Sequence, residues 1–110
     1  MSARRFEVLL TANAEQDLEG IHDFICRSDG KAHAERVLER LVDIVESLSQ
    51  FPERGSHPKE LLAVGFRECR QVLFKPYRVI YQTSGRGVII HLICDGRRNM
   101  QSLLARRLLG

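Results

Sequence analysis

The most informative stretch of the chain is residues 77–94, which read YRVIYQTSGRGVIIHLIC. Over residues 77–81 every second side chain is large and apolar, as in a strand that buries one face. Residues 84–87, Ser-Gly-Arg-Gly, are typical of a tight turn between strands. Residues 88–94 form a nearly unbroken apolar run, interrupted by His91, which is typical of a central strand buried on both faces. The stretch therefore predicts two antiparallel strands joined by a turn.

Two helices are predicted before this stretch. Thr11 or Asn13 is a suitable N-cap for the first, which ends at residues 28–30, Ser-Asp-Gly. The second helix covers residues 31–50. In both segments apolar residues recur every three or four positions, and polar residues fill the opposite side. Because only a short polar turn separates them, they are predicted to form a helical hairpin.

The remaining segments complete an α+β fold class. Residues 6–10 alternate as an N-terminal strand, and residues 66–73 predict the first strand of a three-stranded antiparallel meander. Residues 51–65 are expected to be a loop or irregular connection, because Phe-Pro-Glu-Arg-Gly stops the second helix. From Asn99 onward, apolar residues recur on one side of a short C-terminal helix. The whole order, from N-terminal strand through two-helix hairpin and meander to C-terminal helix, is expected in one domain over residues 1–110.

The net charge of +3 is unevenly distributed along the chain. Residues 66–110 carry nine Lys/Arg and two Asp/Glu, a net +7, whereas residues 1–65 carry eight and twelve, a net −4. The sum of +7 and −4 returns the total of +3. A basic C-terminal part suggests an anionic partner, and either nucleic acid or an acidic protein would fit. A basic face that is merely solvated is the alternative.

Composition argues against several classes of protein. No apolar run reaches the roughly 20 residues that span a bilayer. The basic start, residues 1–5, is not followed by the long apolar core of a signal peptide. We therefore expect a cytoplasmic protein without a membrane partner. The three cysteines, Cys26, Cys69 and Cys94, lack CxxC spacing and are expected to be reduced thiols. No residues have metal-ligand spacing, so neither a metal nor another cofactor is expected.

Six short motifs occur in order along almost the whole chain. They are Ala14-x-x-Asp17-Leu18-x-x-Ile21, Leu48-x-x-Phe51-Pro52-x-x-Gly55, Phe66-Arg67-Glu68, Tyr77-Arg78-Val79-Ile80-Tyr81, Gly96-Arg97-Arg98 and Leu103-Leu104-x-Arg106-Arg107-Leu108. In this combination the sequence resembles the RelE/ParE toxins of type II toxin–antitoxin systems, and their ParE branch most closely. The resemblance implies a small antiparallel sheet packed against a two-helix hairpin. It also implies a partner, a cognate antitoxin that holds the toxin inactive.

The resemblance implies one of two activities, and only the site residues can discriminate between them. RelE-like members cut mRNA on the ribosome, which needs cations for the phosphate and groups for proton transfer. Arg78 and Arg98 match the phosphate-binding arginines of that pattern. His91 is the available acid or base, although its apolar strand favours a half-buried structural imidazole. Leu104 stands about where RelE-like members carry a tyrosine, so the set needed for RNA cleavage is incomplete.

ParE-like members poison DNA gyrase, and their basic and apolar C-terminal segment is implicated in toxicity. By that resemblance the candidates for target binding are Arg78, Arg97, Arg98, Met100, Leu103 and Arg106. For the apolar candidates the alternative is that they dock the C-terminal helix on the sheet. We predict a non-enzymatic toxin that inhibits gyrase and is neutralised by a cognate antitoxin. The alternatives are a ribosome-dependent endoribonuclease acting on mRNA, and a non-toxic member that only binds its antitoxin.

Overall fold

The computed structural model describes residues 5–109. In chain order the elements are β1 (Glu7–Leu10), α1 (Ala12–Asp29), α2 (Lys31–Ser47), α3 (Lys59–Leu62), β2 (Cys69–Phe74), β3 (Tyr77–Ser84), β4 (Gly87–Asp95) and α4 (Met100–Leu104), which continues with π-helical winding over Ala105–Leu109. The predicted α+β class and order of the main elements are confirmed. Residues 1–4, on which the expectation about a signal peptide partly rests, lie outside the described residues. No helix in the described part is long and apolar enough to cross a membrane.

The strands form one four-stranded sheet in the order β1-β4-β3-β2. Strands β2, β3 and β4 are antiparallel neighbours, as the sequence predicts. The β2–β3 turn is Lys75-Pro76, whose peptide bond is cis. Strand β1 pairs in parallel with residues 87–90 of β4. Because β1 has four residues and β4 has nine, β4 continues well past the end of β1.

The two long helices begin and end at residues suited to those positions. Thr11 is the N-cap of α1, because its Oγ1 accepts a hydrogen bond from the N–H of Ala14 at 3.0 Å. Asn13, the other candidate, lies inside the helix. Gly30 separates α1 from α2 with a φ of 95°, a conformation that favours glycine. Helix α2 ends at Ser47 and not at residue 50, because the next N–H groups bond to carbonyls three positions back and tighten the chain.

The loop or irregular connection expected over residues 51–65 contains one short helix that the sequence analysis did not predict. Helix α3 lies within it and begins after Pro58, whose fixed φ suits the start of a helix. Its Leu61 is only 1% exposed and packs into the apolar layer beneath α4. A single turn of helix is too short to show a periodic pattern, so local sequence does not reveal it.

Apolar side chains cover both faces of the sheet. One face packs against the hairpin of α1 and α2, and we call its buried residues the hairpin core: Ala14, Ile25, Ala34, Val37, Leu41, Val45, Leu48, Val72, Val79, Tyr81, Val88, Ile90 and Ile93. The other face packs against α3 and α4, and we call its buried residues the C-terminal core: Leu61, Cys69, Ile80, Leu92, Cys94, Met100, Leu103 and Leu104. The sheet is therefore the middle layer of three.

A β-bulge at His91 allows β4 to contribute to both cores. Two adjacent residues of β3 pair with Ile90 and Leu92, so His91 has no partner residue on β3. The alternation of side chains shifts by one position at this point, and Ile90 and Ile93 consequently both face the hairpin core. Strand β4 lies between β1 and β3 and is buried on both faces, which confirms the prediction of a central strand.

Candidate functional site

The connection between β4 and α4 presents arginines at one end of the sheet. Strand β4 ends at Asp95, and α4 begins after Asn99, whose side-chain oxygen accepts a hydrogen bond from the N–H three residues later at 3.1 Å. Arg97 and Arg98 lie between these two points, and both are exposed. We call residues 95–99 the arginine turn.

The two arginines of the arginine turn have different surroundings. Arg97 is paired with Asp95, because its Nε donates a hydrogen bond to a carboxylate oxygen at 3.0 Å. This contact holds the pKa of Asp95 below its ordinary value. An exposed ion pair contributes little to stability, so Arg97 can exchange Asp95 for another anion. The guanidinium of Arg98 has no ion-pair partner within residues 5–109.

Arg78 lies directly beneath the arginine turn. The N–H of Gly96 donates a hydrogen bond to the carbonyl oxygen of Pro76 at 2.7 Å. A Cβ atom at Gly96 would lie 2.7 Å from Cδ of Arg78, closer than real Cβ contacts come. Glycine is therefore required here, because the backbone of the turn packs directly against the methylene groups of Arg78. This close approach gives a physical reason for the glycine of the Gly96-Arg97-Arg98 motif.

The guanidinium of Arg78 is engaged inside the protein. Its Nη1 and Nη2 donate hydrogen bonds to the two carboxylate oxygens of Glu60 at 2.9 and 2.8 Å, and its Nε donates to Oε1 of Gln71 at 2.8 Å. The side chains of Arg78 and Glu60 are only 12% and 14% exposed. Hydrogen bonding from Arg78 lowers the pKa of the Glu60 carboxyl from 4.5 to about 2. The pair fastens α3 to β3 and occupies the bidentate face of this arginine.

His91 is separated from the arginine turn. It lies four positions before Asp95 on an extended strand, roughly 13 Å away at the usual rise per residue. Its Nε2 is 3.1 Å from Oε1 of Gln82, and the ring is partly buried. Burial lowers the pKa of His91, which keeps the imidazole neutral near pH 7. These are the surroundings of a structural imidazole, the interpretation that the apolar strand favours.

Both tyrosines of the chain pack towards the hairpin core. Tyr81 is fully buried, and its hydroxyl accepts a hydrogen bond from the N–H of Gly55 at 3.1 Å. A Cβ atom at Gly55 would lie 2.4 Å from the carbonyl oxygen of Gln71 and 2.7 Å from the Tyr81 hydroxyl, which explains the glycine of the second motif. Burial raises the pKa of Tyr77 and of Tyr81. Neither phenol is thus adapted to give up a proton near neutrality.

The C-terminal helix turns its apolar side chains into the sheet. Met100, Leu103 and Leu104 are 4%, 5% and 1% exposed, and Leu108 packs beside them. This is the docked arrangement that was the alternative to target contact for the apolar residues of this segment. Arg106 is exposed on the same segment.

The six residues predicted to bind the target consequently fall into two groups. Exposed at the surface are Arg97, Arg98 and Arg106. Engaged in the interior are Arg78, Met100 and Leu103. The members of the first group can meet a partner directly, whereas those of the second hold in place the turn and the helix that carry the first.

Sequence analysis missed two acidic residues that organise this region. Glu60 pairs with Arg78, and Asp17 of α1 pairs with Arg107 of the C-terminal segment. A signal existed for Asp17, which is the charged position within the otherwise apolar first motif. Nothing local marked Glu60, because it belongs to the single-turn helix α3.

A groove of about 790 Å³ opens between α1, the start of α2 and the end of the sheet that carries the arginine turn. Its apolar lining includes Ile21 and Phe24, and Phe24 is 63% exposed. Its cationic lining includes Lys75, Arg97 and Arg98. Three acids also line the groove, Asp17, Asp29 and Asp95, and two of them are paired with Arg107 and Arg97. The groove therefore places exposed apolar surface beside Lys75 and Arg98, which have no ion-pair partner within the described residues, and this suits a partner segment that is both apolar and acidic.

Within residues 5–109 no group of three or more His, Cys, Asp or Glu is arranged to hold a metal ion. The three cysteines are free thiols. Burial raises the pKa of the Cys69 and Cys94 thiols to about 11, so they stay protonated and unreactive near neutrality.

One known family matches most of the chain. The model of that family, the ParE toxin of type II toxin-antitoxin system, parDE, matches residues 8–100. The chain belongs to the ParE toxin family. It is a type II toxin–antitoxin toxin, and it is 29% identical over 100 residues to Toxin ParE3 of Caulobacter vibrioides, covering 91% of this chain and 96% of that relative. The resemblance to RelE/ParE toxins, closest to the ParE branch, is confirmed.

Two solved structures share the fold of this ParE-family toxin. The chromosomal ParDE TA system from P. aeruginosa matches with a TM-score of 0.70 and 19% identity, over 84% of this chain and 98% of that chain. The toxin–antitoxin complex RelBE2 from Mycobacterium tuberculosis matches with a TM-score of 0.63 and 19% identity, over 86% of this chain and 94% of that chain. At these identities the likeness bears on the fold, and it confirms the predicted RelE/ParE-like architecture.

Proposed function

We propose that this ParE-family toxin inhibits DNA gyrase in the cytoplasm, arrests growth by doing so, and is neutralised by a cognate antitoxin. The observation that carries the proposal is the arginine turn, which exposes Arg97 and Arg98 at one end of the sheet. Guanidinium groups bind carboxylates and phosphates through paired hydrogen bonds. The carboxylate beside this pair, Asp95, has its pKa lowered by Arg97 and is therefore a weak base, so the pair is better suited to binding an anion than to bond cleavage.

The face of the sheet that α3 and α4 cover supports inhibition of a target by binding and argues against RNA cleavage. Arg78, which a RelE-like site would use for phosphate, is held by Glu60 at 2.8 Å. The same face is filled by the apolar C-terminal core, so a phosphate could reach Arg78 only if α3 and α4 left the sheet. His91 lies too far along β4 to act with Arg98. A ribosome-dependent endoribonuclease is therefore the less favoured alternative.

The groove supports an antitoxin as the partner of this toxin. A partner segment with apolar side chains could cover Phe24 and Ile21, and its acidic side chains could meet Lys75 and Arg98. Because Arg98 belongs both to the groove and to the arginine turn, such a segment would compete with gyrase for the same cation. Neutralisation would then follow from simple occlusion of the target-binding surface, with no need for a change of fold.

The test is a pair of assays with the purified toxin. The first follows supercoiling and cleavage of plasmid DNA by gyrase with ATP, and the second follows mRNA on translating ribosomes. The proposal expects gyrase-dependent linear DNA and intact mRNA, and it expects prior addition of the cognate antitoxin to abolish the effect. Cuts in ribosome-bound mRNA with unaffected gyrase would overturn it in favour of the endoribonuclease. Antitoxin binding with neither activity would identify a non-toxic family member.

A further inference from the structure

Strand β4 has an uncovered edge where β1 stops. The last backbone contact on this edge is the hydrogen bond from the N–H of Thr11 to the carbonyl of Ile90 at 3.1 Å. Beyond it β4 continues to Asp95, and its outward N–H and C=O groups need partners other than a strand. Side chains supply them. Asp17 and Arg107 therefore provide hydrogen-bond partners for the part of β4 that extends beyond the end of β1.

Asp17 and Arg107 form hydrogen bonds with the exposed backbone of β4 and with each other. Oδ2 of Asp17 accepts a hydrogen bond from the N–H of Ile93 at 3.0 Å, and Nη1 of Arg107 donates to the carbonyl of His91 at 3.0 Å. Nη2 of Arg107 also donates to Oδ1 of Asp17. The side chains of Asp17 and Arg107 are 15% and 21% exposed, so neighbouring groups shield this contact from water.

This contact joins the two ends of the chain. Asp17 belongs to α1, near the N-terminus, and Arg107 lies in the π-helical turn that ends the C-terminal segment. Apolar side chains of the C-terminal core also hold this segment against the sheet. Such contacts have no preferred direction, so they bury the segment without fixing its orientation. The charged pair has a defined geometry, so it sets where the end of the segment lies.

We propose that Asp17 is a positioning residue for the toxic surface: through Arg107 it fixes the C-terminal segment, and with it the places of Arg106 and Arg98 relative to the groove. The functional half of this inference rests on the proposed inhibition of gyrase. Arg107 is itself mostly covered, so it acts through the position of its exposed neighbours and not by touching the target. Asp17 also lines the groove, so an occupant of the groove meets the same residue that holds the C-terminal segment.

The test uses the full-length toxin with Asp17→Asn, Arg107→Met, the double variant and Arg107→Lys. Asparagine keeps an oxygen for the N–H of Ile93 but removes the charge, and methionine keeps the apolar stem of the arginine. Glu19→Gln is the matched control, because Glu19 is an exposed acid of the same helix that lies outside the groove lining. Amide hydrogen exchange over residues 103–109 is measured beside exchange in β4 and gyrase inhibition.

We expect each single variant to speed exchange over residues 103–109 by about tenfold while β4 is unaffected, because a local anchor is lost and the fold is kept. The double variant should be no worse than either single one, since both break the same contact. Arg107→Lys should fall between wild type and Arg107→Met, because lysine keeps the charge without the fork of donors. Glu19→Gln should match wild type. Gyrase inhibition should weaken several-fold in the order of the exchange rates.

Two outcomes would overturn the inference. Unchanged exchange over residues 103–109 in Asp17→Asn and Arg107→Met would show that the pair does not fix the segment. Faster exchange with undiminished gyrase inhibition would show that the position of the segment does not matter for the target. If the wild-type toxin leaves gyrase unaffected, the proposed function fails by itself, and the exchange measurement still decides whether Asp17 positions the segment.

Discussion

The two faces of the sheet are closed in different ways. The hairpin face is covered by α1 and α2, two long helices that are consecutive in the chain, and its core is wholly apolar apart from one tyrosine hydroxyl. The other face is covered by α3 and α4, which have four and five residues and come from separate parts of the chain. Two ion pairs fasten this second cover, Glu60 with Arg78 and Asp17 with Arg107.

On the function proposed above, the difference separates the part of the molecule that mainly stabilises the fold from the part that carries the proposed target-binding surface. The single turn of α3 and the short helix of α4 with its π-helical continuation are too short to be stable alone, so both depend on tertiary contacts. The helical hairpin brings periodic apolar stripes that pack over their whole length. The three exposed arginines of the candidate site, Arg97, Arg98 and Arg106, lie on this second side, in the arginine turn and the C-terminal segment. Surfaces that meet partners are commonly drawn from such low-stability regions.

The largest expected effect comes from equal truncations in the two cores. Leu41 of the hairpin core and Leu104 of the C-terminal core are 0% and 1% exposed. We expect Leu41→Ala to lower the free energy of unfolding by about 3–4 kcal/mol and Leu104→Ala by about 2 kcal/mol, since α4 can detach locally around the smaller residue. Urea unfolding measures both. Equal losses, or a larger loss at Leu104, would contradict the difference between the faces.

A methyl group added at Gly55 is expected to be nearly as damaging. Its Cβ would meet the carbonyl oxygen of Gln71 at 2.4 Å, and backbone atoms cannot move aside cheaply. We expect Gly55→Ala to lower the free energy of unfolding by about 2–3 kcal/mol. Gly20→Ala is the matched control, because nothing lies within 4 Å of a Cβ at Gly20 in the middle of α1. That variant should gain up to about 1 kcal/mol in thermal unfolding, and a loss there would argue against the packing explanation.

Glu60→Gln probes the ion pair on the second face. We expect it to lower the free energy of unfolding at pH 7 by about 2 kcal/mol, because Arg78 is left covered without its counter-charge. The folded-state pKa of Glu60 is lowered to about 2 from 4.5. The stabilisation is therefore fully present above pH 4.5 and is lost as the pH falls towards 2. The gap between wild type and variant should close over that window, whereas Glu39→Gln, an exposed change on α2, should show no such gap. A gap that is constant with pH would exclude the ion pair as the cause.

Tyr81→Phe is expected to have the smallest effect. The variant keeps the ring in the hairpin core and removes only the hydroxyl that accepts the N–H of Gly55 at 3.1 Å. Losing one buried hydrogen bond should lower the free energy of unfolding by about 1 kcal/mol. Guanidinium unfolding of the two proteins side by side measures this. A loss as large as that of Gly55→Ala would mean that the hydroxyl, and not the space around Gly55, governs this contact.

The hairpin face could be predicted from sequence because its information is local. Periodic apolar residues along residues 31–50 indicate a helix without knowledge of any distant contact. Alternation over residues 77–81 and the apolar run over residues 88–94 indicate strands in the same way. The second face could not be predicted in the same way. Helix α3 is too short for a pattern, and Glu60 meets Arg78 across 18 positions of the chain. The residues near Glu60 in the sequence do not predict that it pairs with Arg78.

The same limit of local information applies to the candidate site. Arg78 and Arg98 both match family motifs, and sequence alone treats them alike. Only the fold shows that Arg78 is covered and paired whereas Arg98 is exposed. Likewise, an apolar stripe containing Met100 and Leu103 fits either a docked helix or a contact with a partner, and the packing of the C-terminal core decides that it is docked. Exposure and pairing depend on long-range contacts that motifs do not record.

The most direct test of the proposed target surface compares two exposed arginines at opposite ends of β4. Arg98 follows the end of the strand in the arginine turn, and Arg86 precedes its start. In the gyrase cleavage assay Arg98→Ala should abolish the formation of linear DNA while thermal unfolding is unchanged, and Arg86→Ala should retain it. Full activity of Arg98→Ala, or equal losses in both variants, would contradict a target-binding surface at the arginine turn.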